Sequence, residues 1–286
     1  MQYKESGRIF WKKIENIKFI LTLNDTAIAN MLALTEPKYK KFKNNELLPA
    51  LPNLDRLCIR LGLNMNHFSL GKIDYMSLRE RFYGNSYALP TKYDYGKLSK
   101  SRTIINCLDY LELKYNENVK YAVLSHLQID PLFFKEDNRS MNINVISDLC
   151  ALLKKTFHFN KDDFTALGRW SYEVNKNKEL GQILSSFQNK YEMFEAICNG
   201  LSKEFEKNFD YTLKSNSNNR IIVHSTPSEE AKDLLRKKLI GNTTTCLTKM
   251  GVFSSFTKYQ LLPTANVVKT KCIYQGDQVT EYQIIT

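Results

Sequence analysis

The chain has 286 residues, 43% of them hydrophobic and 25% charged. These are globular values that exclude wholesale disorder and leave room for one large domain or two ordinary ones. The formal charge of +11 and pI of about 9.2 favour a polyanionic partner, nucleic acid foremost. No apolar run approaches the ~20 residues of a membrane helix, and the N-terminal stretch is polar throughout, so neither a span nor a leader is expected. Cys58, Cys107, Cys150, Cys198, Cys246 and Cys272 lie far apart with no CxxC, which reads as reduced thiols in a cytoplasmic protein.

Phe10, Ile14, Ile17 and Leu21 recur at helical spacing, so a first helix is expected over about Trp11 to Leu23. Asn24 is a good N-cap for a second helix, with Asp25 at its positive end and Ile28, Ala29 and Leu32 as a buried stripe. Thr35 is placed to cap a third, with Glu36 and Pro37 in the first turn. There Tyr39 and Phe42 share an inward face, while Lys38, Lys40, Lys41 and Lys43 occupy the others. A Pro-rich turn leads to a fourth helix carrying Leu54, Leu57 and Leu61, and Leu63 and Phe68 begin a fifth.

Two helices joined by a three-residue turn make a helix-turn-helix arrangement. The spacing over residues 11 to 72 resembles the Cro/repressor-type (XRE) family, through Ile28-Ala29, Leu32, Ala33, Thr35, Tyr39, Phe42, Pro49 and "LDRLCIRLGLN". The resemblance implies that Thr35 to Lys43 enters the major groove of double-stranded DNA. On that reading Lys38 and Lys40 meet guanine edges or phosphates, and Lys41 and Lys43 meet phosphates. Glu36 either accepts from a cytosine amine or favours the helix dipole, and Thr35 completes the set. Asp25 stands where the family's glutamine touches phosphate. Ala33 replaces the turn glycine, so the turn is expected to avoid a positive φ. Lys43 replaces a glutamate, and Asn45 replaces a glycine at a left-handed position that asparagine tolerates.

Residues 75–100 mix tyrosine and phenylalanine with Gly, Asn and Pro, and read as a linker packed on one of two domains, 1–74 and 101–286. From Ser101 the pattern is helical for about a hundred residues. Its last part is a long helix from about Glu179 to Phe205, with Leu180, Ile183, Leu184, Phe187, Tyr191 and Phe194 on one side. "FDYTLKS" and "NRIIVHS" then alternate around "NSNN" as a β-hairpin, "SEEAKDLLRKKL" begins a helix, and the final two alternating runs join at Gly276-Asp277 in a second hairpin. The expected fold is thus an all-α helix-turn-helix domain followed by an α+β domain of helices on an antiparallel sheet.

The ending over Cys246 to Ile284 resembles the vinyl-4-reductase-like sensor domains, which lie near the haem-NO-binding group and hold small, largely apolar ligands. Cys272 and Gly276 fit the family's zinc motif and Cys246 matches its earlier cysteine, but Lys269 and Thr280 stand for a glutamate and a cysteine. A lysine ammonium offers no ligand, so neither zinc nor any other metal or cofactor is expected. Of His67, His126, His158 and His224, His158 in "TFHFN" is nearest to an apolar setting, where a haem ligand is conceivable but a core or edge residue is the expected reading. Trp170, Tyr172, Phe187, Tyr191, Phe194, Phe253 and Phe256 are candidates to line a ligand pocket. No P-loop, GxGxxG or HExxH is present, so no enzyme is expected.

These readings combine as a cytoplasmic, homodimeric, DNA-binding transcriptional regulator with a C-terminal sensor or dimerisation domain. The rivals are a protein-interaction adaptor reusing the helix-turn-helix fold, and a small-molecule or fatty-acyl binding protein.

Overall fold

A computed structural model of the chain describes residues 2–285 apart from 85, 86, 88, 137, 218, 219 and 237–239. It divides into two compact units, Met1–Ala88 with Asn116–Lys135, and Leu89–Tyr115 with Glu136–Thr286. The first unit contains α1 (Gln2–Ile20), α2 (Asp25–Met31), α3 (Glu36–Asn44), α4 (Leu51–Leu61), α5 (Met65–Ser69) and α6 (Tyr75–Tyr83). The chain then contributes β1 (Ser99–Lys100) and α7 (Arg102–Lys114) to the second unit and returns with α8 (Glu117–Leu127). After it come β2 (Ser140–Met141), α9 (Asn144–Thr156), α10 (Lys161–Asn175), α11 (Glu179–Ser185) and α12 (Lys190–Cys198). The end of the chain is β3 (Phe209–Ser217), β4 (Arg220–Pro227), α13 (Glu229–Leu235), α14 (Thr243–Phe256), β5 (Asn266–Lys271) and β6 (Thr280–Ile285).

Unit one is helical among the described residues. Ile14, Ile17 and Leu21 of the first helical stretch, Ile28 and Leu32, Tyr39, Leu57 and Leu61 are all at or below 1% exposed. Asn24 caps α2 by accepting from the Ala27 N–H. The helices α1–α5 share this core with Tyr75 and Leu78 of α6 and Tyr121 of α8, so a free-standing helix-turn-helix domain is not what forms. Arg79 donates to Asp130 at 2.8 Å, holding the stretch after α8 to α6.

Three local expectations are corrected here. The turn between α2 and α3 does use a positive φ, +52° at Ala33, where the Leu34 N–H closes onto the Ala29 carbonyl. After α3 the left-handed residue is Glu46, not Asn45, whose φ is −98°. Thr35 occupies the N-cap of α3 without making a side-chain cap bond.

Unit two joins helices to an antiparallel sheet of order β3-β4-β6-β5, the expected α+β arrangement. Ile221 and Val223 of β4 and Tyr282 and Ile284 of β6 are fully buried on one face, as a period of two requires. Both hairpins form. Asn218 and Asn219 of the first turn, and residues 237–239 at the expected end of α13, lie outside the described residues. The single long helix expected from Glu179 to Phe205 is instead α11, α12 and a 3₁₀ turn at Leu201–Glu204. The break has a local cause: Asn189 accepts from the Tyr191 and Glu192 N–H groups and restarts the helix.

α14 lies at the centre of this unit, packed on α10 on one side and on β5 and β6 on the other. Ten of its residues, from Thr244 to Phe256, are buried. Burial all round explains why no amphipathic period marks it in the sequence.

Candidate ligand-binding cavity

One flank of α14 is not filled. Thr245, Thr248, Lys249, Val252, Phe253 and Phe256 follow one another at helical spacing and form a single stripe along a cavity of about 140 Å³. The opposite walls are Ser99 and Lys100 of β1, Thr103 and Ile104 of α7, Met141, Ile143 and Ile146 around the start of α9, Ile197 of α12, Ser202, Phe205 and Glu206, and Tyr211 of β3. A neighbouring cavity of about 100 Å³ shares Lys100, Thr103, Phe205, Thr248, Val252 and Phe256 with the first. Its other walls include Asn106 and Asn175, each with a buried carbonyl oxygen that finds no hydrogen-bond partner among the described residues.

The walls of the first cavity are mainly aliphatic and aromatic, with Lys100, Lys249 and Glu206 as its charged side chains. Lys249 Nζ is buried, 3.4 Å from the Glu206 carboxylate, and meets no hydrogen-bond partner among the described residues. It rests over the Phe209 ring at 3.0 Å and stands 5.2 Å from the Tyr211 ring. Burial pulls the ammonium below its ordinary range, against the opposing pull of Glu206. The Tyr211 hydroxyl donates to Glu206 at 2.9 Å. Lys100, the second cation on the wall, donates to the Ser140 hydroxyl at 3.2 Å.

Of the aromatics expected to line a pocket, Phe253 and Phe256 do so. Phe194 lies behind them in the core, 5.8 Å from the Phe256 ring. Tyr172 packs on Tyr259 at 4.9 Å with Lys258 over its ring, and Phe187 and Tyr191 fringe the same core. Trp170 faces Tyr110 at 6.2 Å. Sequence reasoning missed Lys249, Glu206, Lys100 and Ile104. Their one signal was a lysine inside an otherwise apolar and hydroxyl-bearing stretch, "TTTCLTKMGVFSSF".

The residues expected to meet DNA fall into two groups. Thr35, Lys38, Lys40 and Lys41 are exposed. Lys43 is half-buried and tied to Glu15 at 2.8 Å and to Asp25 at 3.3 Å, while Glu36 accepts from the Thr26 hydroxyl. Asp25 also accepts from Lys18 and from the Tyr39 hydroxyl, the latter at 3.0 Å. Burial pushes its carboxyl up, but these hydrogen bonds together hold it below the usual carboxylate range. What the family pattern presents as a phosphate-facing row is here partly an internal network between α1, α2 and α3.

At the other end of the chain, Cys246 and Cys272 are buried, with Cys246 Sγ 4.0 Å from the Thr280 hydroxyl. Burial raises the Cys246 thiol above its ordinary range. Among the described residues no three His, Cys, Asp or Glu side chains converge on a metal position.

No protein-family model matches the sequence, and no curated protein is significantly similar to it. Among solved structures, the chain is similar to an Fe(II) unliganded H-NOX protein from K. algicida, at 12% identity and a TM-score of 0.49 over 65% of this chain and 95% of that one. It is similar as well to an H-NOX protein from S. oneidensis in the Fe(II)NO state, at 11% identity and a TM-score of 0.49 over 65% of this chain and 97% of that one. These are H-NOX proteins. The expected memberships in the XRE helix-turn-helix and vinyl-4-reductase-like families are corrected, and with them the reading as a DNA-binding transcriptional regulator: no model of either family matches, and α1–α5 form one core with α6 and α8. The XRE spacing has another cause in this chain: Ile28, Leu32 and Tyr39 are fixed by core packing, and Lys43 by its two carboxylates.

The cavity does not fit a haem iron. Such an iron takes a histidine, cysteine, methionine or tyrosine as axial ligand. No histidine or cysteine lines the cavity, the Tyr211 hydroxyl is engaged by Glu206, and Met141 on the wall has no histidine beside it to complete a Met/His pair. His67 and His126 belong to unit one, His158 follows α9, and His224 pairs with Glu281 at 2.8 Å. A space of about 140 Å³ is also close to that of a cavity known to take one benzene ring, well short of a macrocycle.

Proposed function

We propose that unit two is a ligand-sensing domain that binds a small, largely apolar molecule. The observation that supports this reading is the cavity beside α14, apolar over most of its wall with three charged side chains. Binding sites of this kind combine hydrophobic lining with a few polar groups that fix orientation. The walls come from α7, α9, α12, α14 and β3, so a bound molecule favours whichever arrangement of those elements closes on it. The shift in population is as large as its preference for that arrangement.

The proposal assigns the protein binding and no catalysis. The homodimer was inferred from paired DNA half-sites and is not carried further. The free cysteines keep a reducing compartment as the proposed setting. No helix among the described residues is long and apolar enough to cross a membrane.

Calorimetric titration of the full chain with toluene tests the reading. Saturable binding is expected, together with a rise in the thermal midpoint that grows with ligand concentration. Ile104→Trp, which fills the cavity, should remove both effects while the protein stays folded. Toluene binding unchanged in Ile104→Trp overturns the assignment.

A further inference from the structure

The charged side chains of the cavity narrow what the ligand is. Three charged side chains line the space, Lys100, Lys249 and Glu206. Two ammoniums against one carboxylate leave the walls one positive charge in excess. Glu206 is shared, since its Oε2 accepts from the Tyr211 hydroxyl at 2.9 Å while standing 3.4 Å from Lys249 Nζ. The Lys249 ammonium carries three donors, and none of them meets an acceptor at hydrogen-bond geometry among the described residues. Held by a carboxylate at such a distance and by the face of the Phe209 ring, the buried ammonium lacks the hydrogen bonds that normally offset its lost hydration.

We infer that the ligand is a small carboxylic acid bound as its anion, with the carboxylate on Lys249 and an apolar body of about one ring between Ile104, Met141, Val252 and Phe253. This assignment rests on the cavity reading given above and adds the chemical class of the ligand. The carboxylate supplies the acceptors that Lys249 lacks and neutralises the excess charge. The volume of about 140 Å³ limits the body to the size of a single aromatic ring or a short branched chain. A neutral molecule of the same shape fills the same space without offsetting the excess charge, and a hydrocarbon also leaves the ammonium without acceptors.

The test uses the full chain and three probes of one shape: benzoate, benzyl alcohol and toluene, titrated by calorimetry at pH 7. Opposite charges in hydrogen-bond contact, in place of no polar contact, should make benzoate bind at least about tenfold tighter than toluene, with benzyl alcohol, whose hydroxyl accepts from the ammonium but carries no charge, between the two. Lys249→Met should bring benzoate to or below the level of toluene. Glu206→Gln, which removes the competing carboxylate, should tighten benzoate relative to toluene. Neutral probes binding as tightly as benzoate, or a benzoate preference that survives Lys249→Met, overturns the ligand class while the cavity reading stands. Failure of all three probes to bind overturns both. The comparison among probes in the unaltered protein decides the matter even if Lys249→Met does not fold.

Discussion

Gly168 of α10 and Gly251 of α14 bring two helix backbones into direct contact. A methyl group at 168 would stand 1.9 Å from the Thr248 carbonyl oxygen, and one at 251 would stand 2.0 Å from the Thr165 carbonyl oxygen. Both obstacles are backbone, so no side chain can swing aside. Gly251→Ala should destabilise the protein by at least the upper end of the ~1–3 kcal/mol typical of overpacking, seen as a lower denaturant midpoint with unchanged slope. Because Lys249 and Val252 flank that contact on the cavity side, the same variant should also weaken any ligand of the cavity. A variant as stable as the parent contradicts the close crossing.

Unit one offers a contrast between lysines that sit four residues or fewer apart. Lys40 and Lys41 are exposed, and replacing either by alanine should change stability by no more than about 0.5 kcal/mol. Asp25→Leu leaves the buried Tyr39 hydroxyl and two ammoniums without their shared acceptor, and should lose about 1–3 kcal/mol in urea denaturation. Equal effects at the two kinds of position would refute the internal network.

The ion pair of Arg79 with Asp130 has side chains only 11% and 15% exposed. Asp130→Ala takes the ion-pair carboxylate from a largely buried guanidinium and should lose roughly 3 kcal/mol. Since Asp130 belongs to the stretch that returns to unit one, limited proteolysis of the variant should open the chain between 116 and 135 first. A cleavage pattern like the parent's would count against this account.

Acid stability should depend on Glu281. Hydrogen bonds from Thr270, Gln283, His224 and Lys271 bring its carboxyl down to about 2 against the desolvation that opposes them. An ordinary glutamate in the unfolded chain titrates near 4.3. The folded state therefore binds its proton later, and the stability contributed is complete above about pH 5 and fades as pH falls toward 2. Glu281→Gln should flatten that part of the stability–pH curve and leave the remainder in place. A curve of unaltered slope between pH 5 and 2 would show that the carboxylate is not held in this way.

The local elements of unit one were legible because each rests on neighbours in sequence. Asn24 accepts from Ala27 three residues on, Tyr39 and Phe42 turn inward from one helix face, and Gly62 ends α4 at φ +63°. The hairpins of unit two followed from alternation, and Gly276 closes the second with φ +101°. Ala33 shows the limit of such rules: alanine disfavours a left-handed φ, yet the packing of Leu32 and Leu34 on either side imposes one. Asn189 shows another, since a side chain that suits a cap also interrupts a run of apolar residues that reads as one helix.

Sequence by itself determined the period of the amphipathic segments, the Asn24 cap, the cysteine pattern and the excess of positive charge. It left the site dark, because the residues that make it come from 99–104, 141–146, 197–211 and 245–256, and none of these stretches carries a motif. Whether a lysine is a solvated surface group or a buried cation depends on what surrounds it in space. Lys40 and Lys249 are chemically the same; only the folded chain sets one in water and the other beside Glu206 and Phe209, where its ammonium loses hydration.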